Sequence, residues 1–193
     1  MGLPVISVEF KKLASTAVNR SIRGILAGIV QDDTVTTFDY KTYTTLEDVV
    51  ATDYTDENYT ALSRAFLAGP YQVIVVRIGT TKTMDDAKAI LDKLSPNWLC
   101  AVPEALQSGV ASYVKSVNTT RRIRKVKALV TGQEDVDDIH VVNVANTAVT
   151  IRGDSSPTDM AAYLPRIGGV LAACPMNESV TYKALEDLAS AEP

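Results

Sequence analysis

The sequence predicts an α/β protein built on a mainly parallel sheet with flanking helices. Three short apolar runs rich in β-branched residues, at 73–76, 98–102 and 127–130, alternate with two longer segments whose apolar residues recur at helical spacing. Strands and helices that alternate in this way form βαβ units, which require a parallel sheet with right-handed crossovers. Because the runs are continuously apolar, we expect the strands to be buried on both faces.

The composition is that of a globular protein. Of the 193 residues, 46% are hydrophobic and 22% are charged, so the chain can build a core without a metal ion or a disulfide. The formal net charge of −4 argues against a general nucleic-acid binder, which needs many cationic contacts to phosphate. A basic run at 121–127 departs from this balance, and we interpret it as a solvated helix end that leads into a strand.

The termini and the cysteines indicate a cytoplasmic site of synthesis. Residues 1–4 lack the charged and apolar regions of a secretory signal, and no apolar run approaches the ~20 residues of a membrane span. We therefore expect no membrane binding. Cys100 and Cys174 each lie in an apolar stretch, which favours two buried thiols in a reducing compartment, with a disulfide as the alternative.

The first twenty residues differ from the rest of the chain. Apolar side chains alternate with polar ones at 5–10, a pattern that predicts a half-buried strand formed by Val5, Ile6, Val8 and Phe10. A terminal strand with no nearby hairpin partner must pair with something distant. That partner is either the sheet of the same domain or the sheet edge of a neighbouring molecule.

The next part of the chain predicts two strands and two helices. Gly24–Val30 is a buried apolar run, and a weaker strand follows at 35–40. Thr45 is a candidate N-cap for a brief helix at 46–50, and a longer helix carrying Tyr59, Leu62 and Phe66 ends at Gly69.

The helices between the buried strands have clear sequence signals. Thr83 and Asp86 have capping-box spacing at the start of the first of these helices. Its apolar face is formed by Met84, Ala87, Leu91 and Leu94, and that of the second helix by Leu106, Val110, Tyr113, Val114 and Val117.

The last third predicts a small β-hairpin and a final helix. We expect strands at 141–144 and 148–151 to pair with each other through a turn at 146–147. The helix is predicted to open at 156–159, with a Ser cap and Pro157 in its first turn. Each glycine of the Gly168–Gly169 pair costs this helix about 1 kcal/mol relative to alanine, which indicates close packing against another backbone.

The loops after the strands show no catalytic pattern. The loop at 79–83 has one glycine and fits neither the dinucleotide fingerprint nor the P-loop. The loop at 131–140 holds Glu134, Asp135, Asp137, Asp138 and the chain's one histidine, His140, but lacks the spacing of a calcium loop. We interpret these acids as solvated and His140 as structural, and we expect no metal and no cofactor.

Nucleophilic catalysis has equally little support. The sequence has no Gly-x-Ser-x-Gly motif whose serine the histidine could activate. Cys100 lies in an apolar strand, where burial lowers the reactivity of its thiol. The tripeptide at 152–154 matches an adhesion motif that is common by chance, and we interpret it as a turn. The sequence therefore predicts no catalytic residues and a protein that is not an enzyme.

Two stretches resemble the tail sheath proteins of contractile phages and prophages, including PBSX-like and R-type-bacteriocin-like particles. One comprises residues 2–11 and 20–30. The other runs from 141 to 182 and keeps the order and spacing of a family block over some forty residues. The positions that carry this block are Pro165, Arg166, Ile167, Gly168, Gly169, Pro175, Ser179, Thr181 and Tyr182.

The resemblance implies a structural subunit that polymerises as helical rings around an inner tube and contracts to drive the tube through a cell envelope. It implies other sheath subunits, the tube protein and the baseplate as partners, with assembly in the bacterial cytoplasm into a virion tail or a tail-like particle. It also implies that the strand at 5–10 pairs with a neighbouring subunit.

The resemblance further suggests a division of the chain. We expect an extended arm at 1–20, an α/β sheath domain at 21–185 and a tail at 186–193 that holds no core element. Because members of that family continue further, the tail is expected to lead to a C-terminal domain that this chain lacks, and without which it builds no contractile sheath.

Two other classes of function stay open at this point. One is a small ligand-binding or enzymatic α/β domain that uses the loops at 79–83 and 131–140. The other is an adaptor or receiver-like module whose site is the acidic loop with Asp137 and Asp138.

Overall fold

The computed structural model describes residues 24–120, 125–175 and 178–193. The predicted arm, with Val5, Ile6, Val8 and Phe10, lies outside the described residues, as does most of the basic run. The strands are β1 (Ile25–Gln31), β2 (Tyr40–Tyr43), β3 (Gln72–Ile78), β4 (Trp98–Ala101), β5 (Lys127–Thr131), β6 (Val141–Val144), β7 (Ala148–Ile151), β8 (Thr158–Asp159) and β9 (Leu188–Glu192). The α-helices are α1 (Asp56–Phe66), α2 (Met84–Leu91), α3 (Gln107–Thr120) and α4 (Met160–Ala173).

A mostly parallel sheet forms the centre of the described part of the chain. Its six strands have the order β2-β3-β1-β4-β5-β6, and only β2 runs antiparallel to its neighbour. The α/β prediction is therefore confirmed. The weaker strand occupies Tyr40–Tyr43 rather than 35–40, at one edge of the sheet, and the other edge is β6.

Alternate residues of the central strand enter two separate cores. Ala27 and Ile29 of β1 pack with α2 and α3 on one face of the sheet. Leu26 and Val30 pack on the other face with α1 and α4. Because strand side chains alternate between faces, an apolar run on the central strand serves both cores, which makes a three-layer α/β/α domain.

The predicted hairpin between 141–144 and 148–151 is wrong in its pairing. β6 pairs in parallel with β5, whereas β7 pairs antiparallel with β8 and β9 in a second, three-stranded sheet. A small antiparallel sheet is thus present, but its strands are supplied by more distant segments. Short turn signals at 146–147 cannot distinguish a hairpin from a crossing between two sheets, which explains the error.

Two further expectations are corrected near the end of the chain. The final helix begins at Met160, and its N-cap is Asp159, whose carboxylate accepts from the Ala161 N–H. Pro157 therefore precedes β8 and does not lie in the helix. The segment 186–193 contains β9, which pairs with β7, so it holds an element of the small sheet.

The two predicted N-caps, Thr83 and Thr45, are confirmed, although the brief helix predicted at 46–50 is a 3-10 turn. Thr83 and Asp86 form the capping box of α2, and Thr45 and Asp48 form one at a short 3-10 turn, Leu46–Asp48. Thr55 caps α1 by accepting from the Asn58 N–H. These side chains satisfy backbone N–H groups that the first helical turn leaves without partners.

Backbone approaches backbone at two glycines around α4, Gly169 within the helix and Gly24 just before β1, which agrees with the close packing predicted from the Gly168–Gly169 pair. A Cβ at Gly169 would overlap the carbonyl oxygen of Ala65 in α1, and one at Gly168 would lie 2.7 Å from a methyl of Leu26. A Cβ at Gly24, just before β1, would overlap the carbonyl oxygen of Ala172. No side chain separates the backbones at Gly169 and Gly24, whereas at Gly168 the helix packs on the Leu26 side chain, so α4 lies close to both α1 and the start of β1.

We expect Gly169→Ala to destabilise the domain by about 2 kcal/mol, because an inserted methyl meets an immovable backbone oxygen. Helix propensity alone predicts the opposite sign, a gain of about 1 kcal/mol. Urea unfolding followed by circular dichroism measures the difference. Gly28→Ala is the matched control, since its Cβ would meet nothing nearer than a Leu62 methyl at 3.7 Å. Equal stability of the two variants would contradict the close approach.

Candidate functional site

The carboxyl ends of β1 and β3 border a cleft of about 410 Å³, the position where doubly wound sheets usually bind ligands. The predicted loop at 79–83 contributes Gly79 and Lys82 to this cleft, and α2 forms another wall. The chemistry available there depends on whether its polar side chains are free to meet a ligand.

Asp32, which follows β1 directly, is committed to the fold. Its carboxylate accepts from the backbone N–H groups of Thr34 and Thr55 and from the Asn58 side-chain amide, at 2.8–2.9 Å. Burial opposes ionisation of this carboxyl, but these hydrogen bonds outweigh it and lower its pKa to about 2. Asp32 is therefore an ionised acceptor that ties two loops and the start of α1 together.

Arg77, near the end of β3, is equally committed. The residue is 5% exposed, and its guanidinium donates to the carbonyl oxygens of Val35 and Asp53. Its planar group lies 4.1 Å from the ring centroid of Phe38 and 4.8 Å from that of Tyr54. Stacking of this kind stabilises a cation without exposing it to solvent. Arg77 thus fixes the segment between β1 and α1.

The polar groups of the loop at 79–83 are bonded to other residues of the domain. The Thr80 N–H and hydroxyl both donate to Asp33. Lys82 pairs with Asp86 at 3.3 Å, and Asp86 in turn accepts from the Thr83 N–H. These contacts close the turn before α2, so the loop contributes shape to the cleft and few unpaired groups.

The second predicted loop, 131–140, does not line this cleft. His140 contacts Asp138, with 3.1 Å between Nδ1 and the carboxylate, and the Gln133 N–H donates to the Asn143 side chain. Glu134, Asp135 and Asp137 are exposed. Within residues 24–120, 125–175 and 178–193, no three acidic, histidine or cysteine side chains are grouped as metal ligands.

The cysteines are both free thiols. Cys100 is buried in β4, and burial raises its pKa to about 12, which leaves it protonated and unreactive. Cys174 is only half-buried at the end of α4, where its thiol lies 3.6 Å from the Glu178 carbonyl oxygen. No helix in the described ranges is long and apolar enough to cross a membrane.

The residues of the family block fall into two groups that the structure does not bring together. Within α4, Pro165, Arg166, Gly168 and Gly169 are buried and Ile167 is half-buried. Beyond the helix, Pro175 is half-buried, whereas Ser179, Thr181 and Tyr182 are exposed. The first group serves packing, and the second lies on the surface.

Arg166 makes the most consequential polar contact of that block. Its side chain is 8% exposed and bonds one carboxylate oxygen of Asp187 at 2.8–2.9 Å, while the Tyr163 hydroxyl donates to the other at 2.9 Å. Burial raises the pKa of Asp187, but these donors outweigh it and hold the pKa below its usual range. The ion pair attaches the segment leading into β9 to α4.

Sequence reasoning missed Asp187, because nothing in its surroundings marks it as functional. The available signal was indirect: Arg166 falls within an apolar helical stripe, and a buried guanidinium requires a carboxylate or carbonyl partner. That argument calls for an acid but does not say which of the chain's 23 acidic residues supplies it.

Solved sheath tail proteins share this fold. The one from Desulfitobacterium hafniense aligns with a TM-score of 0.71 and 12% identity, covering 89% of this chain and 64% of that one. The one from Listeria innocua aligns with a TM-score of 0.73 and 13% identity, covering 95% and 64%. The contracted helical sheath of the anti-feeding prophage aligns with a TM-score of 0.55 and 12% identity, covering 78% of this chain and 46% of that one. The domain therefore has the sheath tail protein fold.

A tail sheath protein is also similar to this chain in sequence. The tail sheath protein of Clostridium phage phiCD119 is 26% identical over 198 residues, which cover 98% of this chain and 53% of the relative. The chain is a homologue of this phage tail sheath protein, which confirms the resemblance. It spans about half the length of that relative and less than two thirds of the solved structures. No family model matches the sequence.

We expect Asp187→Asn to cost about 3 kcal/mol, because it leaves the buried Arg166 guanidinium without its counter-charge. The contribution is fully present above the unfolded aspartate pKa of about 3.9 and is lost as the pH falls through the lower folded value. The difference between the urea midpoints of wild type and variant should therefore be full at pH 7 and begin to shrink as the pH falls below about 4. The double variant Arg166→Met with Asp187→Asn should recover part of the loss, and its failure to do so would argue against a coupled pair.

Proposed function

We propose that this chain forms the N-terminal and larger part of a contractile tail sheath subunit. The observation that carries the proposal is its homology, over 98% of its length, to a phage tail sheath protein. The subunit polymerises with its copies around an inner tail tube and, with the baseplate, drives that tube through a cell envelope. It assembles in the bacterial cytoplasm and acts in a virion tail or a tail-like particle.

The polar groups at the strand ends support a structural role over catalysis. Asp32 and Asp33 accept hydrogen bonds from loops of the same domain, and Arg77 donates two to loop carbonyl oxygens, although its buried Nε has no hydrogen-bond partner. A catalytic group needs a side chain poised toward substrate with a pKa near the working pH. The pKa of Asp32 is far below that range, and burial places that of Cys100 far above it. These pKa values support a proposed role for the subunit that is structural and not enzymatic.

Work in such a subunit comes from interfaces that repack between two arrangements, without a hydrolysed nucleotide. Each interface contributes a modest free energy, and the many copies of a helical array add these contributions. We propose the segment at 1–20 as an arm that pairs through Val5, Ile6, Val8 and Phe10 with a neighbouring subunit and keeps the rings linked. The α/β body at 21–185, together with β9, acts as the rigid part.

Electron microscopy of the protein extended to the length of its relatives tests the proposal. We expect tubes or stacked rings from the intact protein. Deletion of residues 1–10 should abolish them while leaving the urea midpoint of the domain unchanged, because an arm contributes no core contacts. A monodisperse intact protein at high concentration would contradict the sheath function. Unfolding by the deletion would show instead that the strand belongs to the domain's own core.

A ligand-binding function has one observation in its favour, the cleft of about 410 Å³ at the carboxyl ends of β1 and β3. The second loop of that hypothesis, at 131–140, lies away from this cleft, which weakens it. We expect isothermal titration calorimetry with ATP, GTP, Mg²⁺ and Ca²⁺ to give only heats of dilution. A saturable micromolar signal that Lys82→Ala abolishes would favour ligand binding over the structural proposal.

A further inference from the structure

The two lateral edges of the six-stranded sheet carry unlike exposed apolar features. One lies beside β2 and is concave, and the other lies beside β6 and protrudes. Five inter-strand spacings of about 4.8 Å place these edges about 24 Å apart. Since neither feature can reach the other within one molecule, each is available to a second molecule.

The concave feature is a groove of about 270 Å³ between the 3-10 turn after β2 and the end of α1. Its apolar walls are Leu46, Phe66, Leu67 and Pro70. Leu67 is 61% exposed, although leucine at a helix end is usually covered. The groove has room for one branched aliphatic side chain.

The rim of this groove is acidic. Thr44 and Thr45 line it, and both donate to the carboxylate of Asp48, so that charge lies at its mouth. Hydrogen bonds from these two threonines hold the pKa of Asp48 below its usual range, which keeps it ionised. Glu47 next to it is exposed. The groove is thus apolar inside and negative outside.

The protruding feature is Ile139, which is 90% exposed. The His140 carbonyl oxygen accepts from the Ala128 N–H, so Ile139 lies beside the start of β5 at the amino end of the sheet. Val142 in β6 is a second exposed apolar side chain at this edge. An isoleucine this exposed gains the free energy of apolar burial only on contact with another surface.

The surroundings of Ile139 are basic on balance. Lys125 and Lys127 are exposed at the start of β5, and Lys115 lies near enough to Asp138 to lower its pKa, although the His140 N–H is the larger cause. The described charged residues around Ile139 are thus three lysines and two acids, Asp137 and Asp138, although the Lys125 ammonium also donates to the Asn118 carbonyl oxygen and that of Lys127 lies 5.1 Å from the Trp98 ring centroid. This excess of positive charge matches the acidic rim of the groove.

We infer that Ile139 of one molecule inserts into the Leu46–Phe66–Leu67–Pro70 groove of a second copy of this chain. The three lysines then lie opposite Glu47 and Asp48. The contact joins two different surfaces, so it is heterologous, and each added copy leaves one groove and one Ile139 open. Repetition gives an open row of domains joined edge to edge. This inference rests on the proposed assembly function and names a contact within it.

Sedimentation velocity of the chain tests the contact. We expect the weight-average sedimentation coefficient to rise with concentration up to about 1 mM, as for a weak interface, and to fall back in high salt. Ile139→Asp and Leu67→Asp should each raise the dissociation constant at least tenfold. Tyr40→Asp is the control, since it removes an exposed apolar side chain at the opposite end of the same edge strand, β2.

Mixing the two variants distinguishes a heterologous contact from a symmetric one. The Ile139→Asp protein keeps its groove, and the Leu67→Asp protein keeps its isoleucine. An equimolar mixture should therefore form dimers and nothing larger, although each variant alone is monomeric. Monomeric wild type at about 1 mM, or a mixture that stays monomeric, would overturn the contact.

The outcome is separable from that of the proposed function. Tubes formed by the extended protein despite Ile139→Asp would overturn this contact and leave the sheath function intact. Urea midpoints close to wild type for both variants would show that exposed substitutions left the fold unchanged, so that a loss of association reports on the contact itself.

Discussion

The direct backbone contact of α4 with β1 and α1 is the constraint on which the rest of the domain depends. Gly24, Gly168 and Gly169 allow it, because a methyl at any of the three would collide with a neighbouring segment. At Gly24 and Gly169 no side-chain rotamer can adjust to a shift of the helix, which restricts the position of α4. That position decides where Arg166 meets Asp187, and hence where the small sheet is attached.

The loops after β1 and β3 are also held in place, here by hydrogen bonds instead of close packing. Asp32 and Arg77 bind the loops next to β1 and β3 through hydrogen bonds. In an enzyme, loops at this position are often mobile. Catalytic loops draw on regions of low local stability, whereas a subunit that transmits force benefits from the reverse. The rigidity of this end of the sheet is therefore consistent with a body that moves as a unit while its interfaces change.

Local patterns predicted local structure well, and they failed where distant segments decide the outcome. The capping box of Thr83 and the apolar stripes of α2 and α3 are set by residues a few positions apart. The two glycines of α4 even indicated a backbone contact, though not the partner. The pairing of β7 with β9 and the ion pair of Arg166 each need a segment more than twenty residues away, and no spacing rule reaches that far. The arm could be argued only from its alternating pattern.

The central position of β1 also governs how the domain can fold. Leu26 pairs with Val73 on one side and Trp98 on the other, so β1, the first strand of the described residues, acquires both neighbours late. Non-local pairing of this kind slows folding, because the chain loses the entropy of loop closure before the stabilising contacts form. On the ribosome, the apolar run of β1 therefore has both edges open until β3 emerges, and one edge open until β4 follows. During that interval its unpaired edge and apolar side chains are exposed to misassociation with other chains.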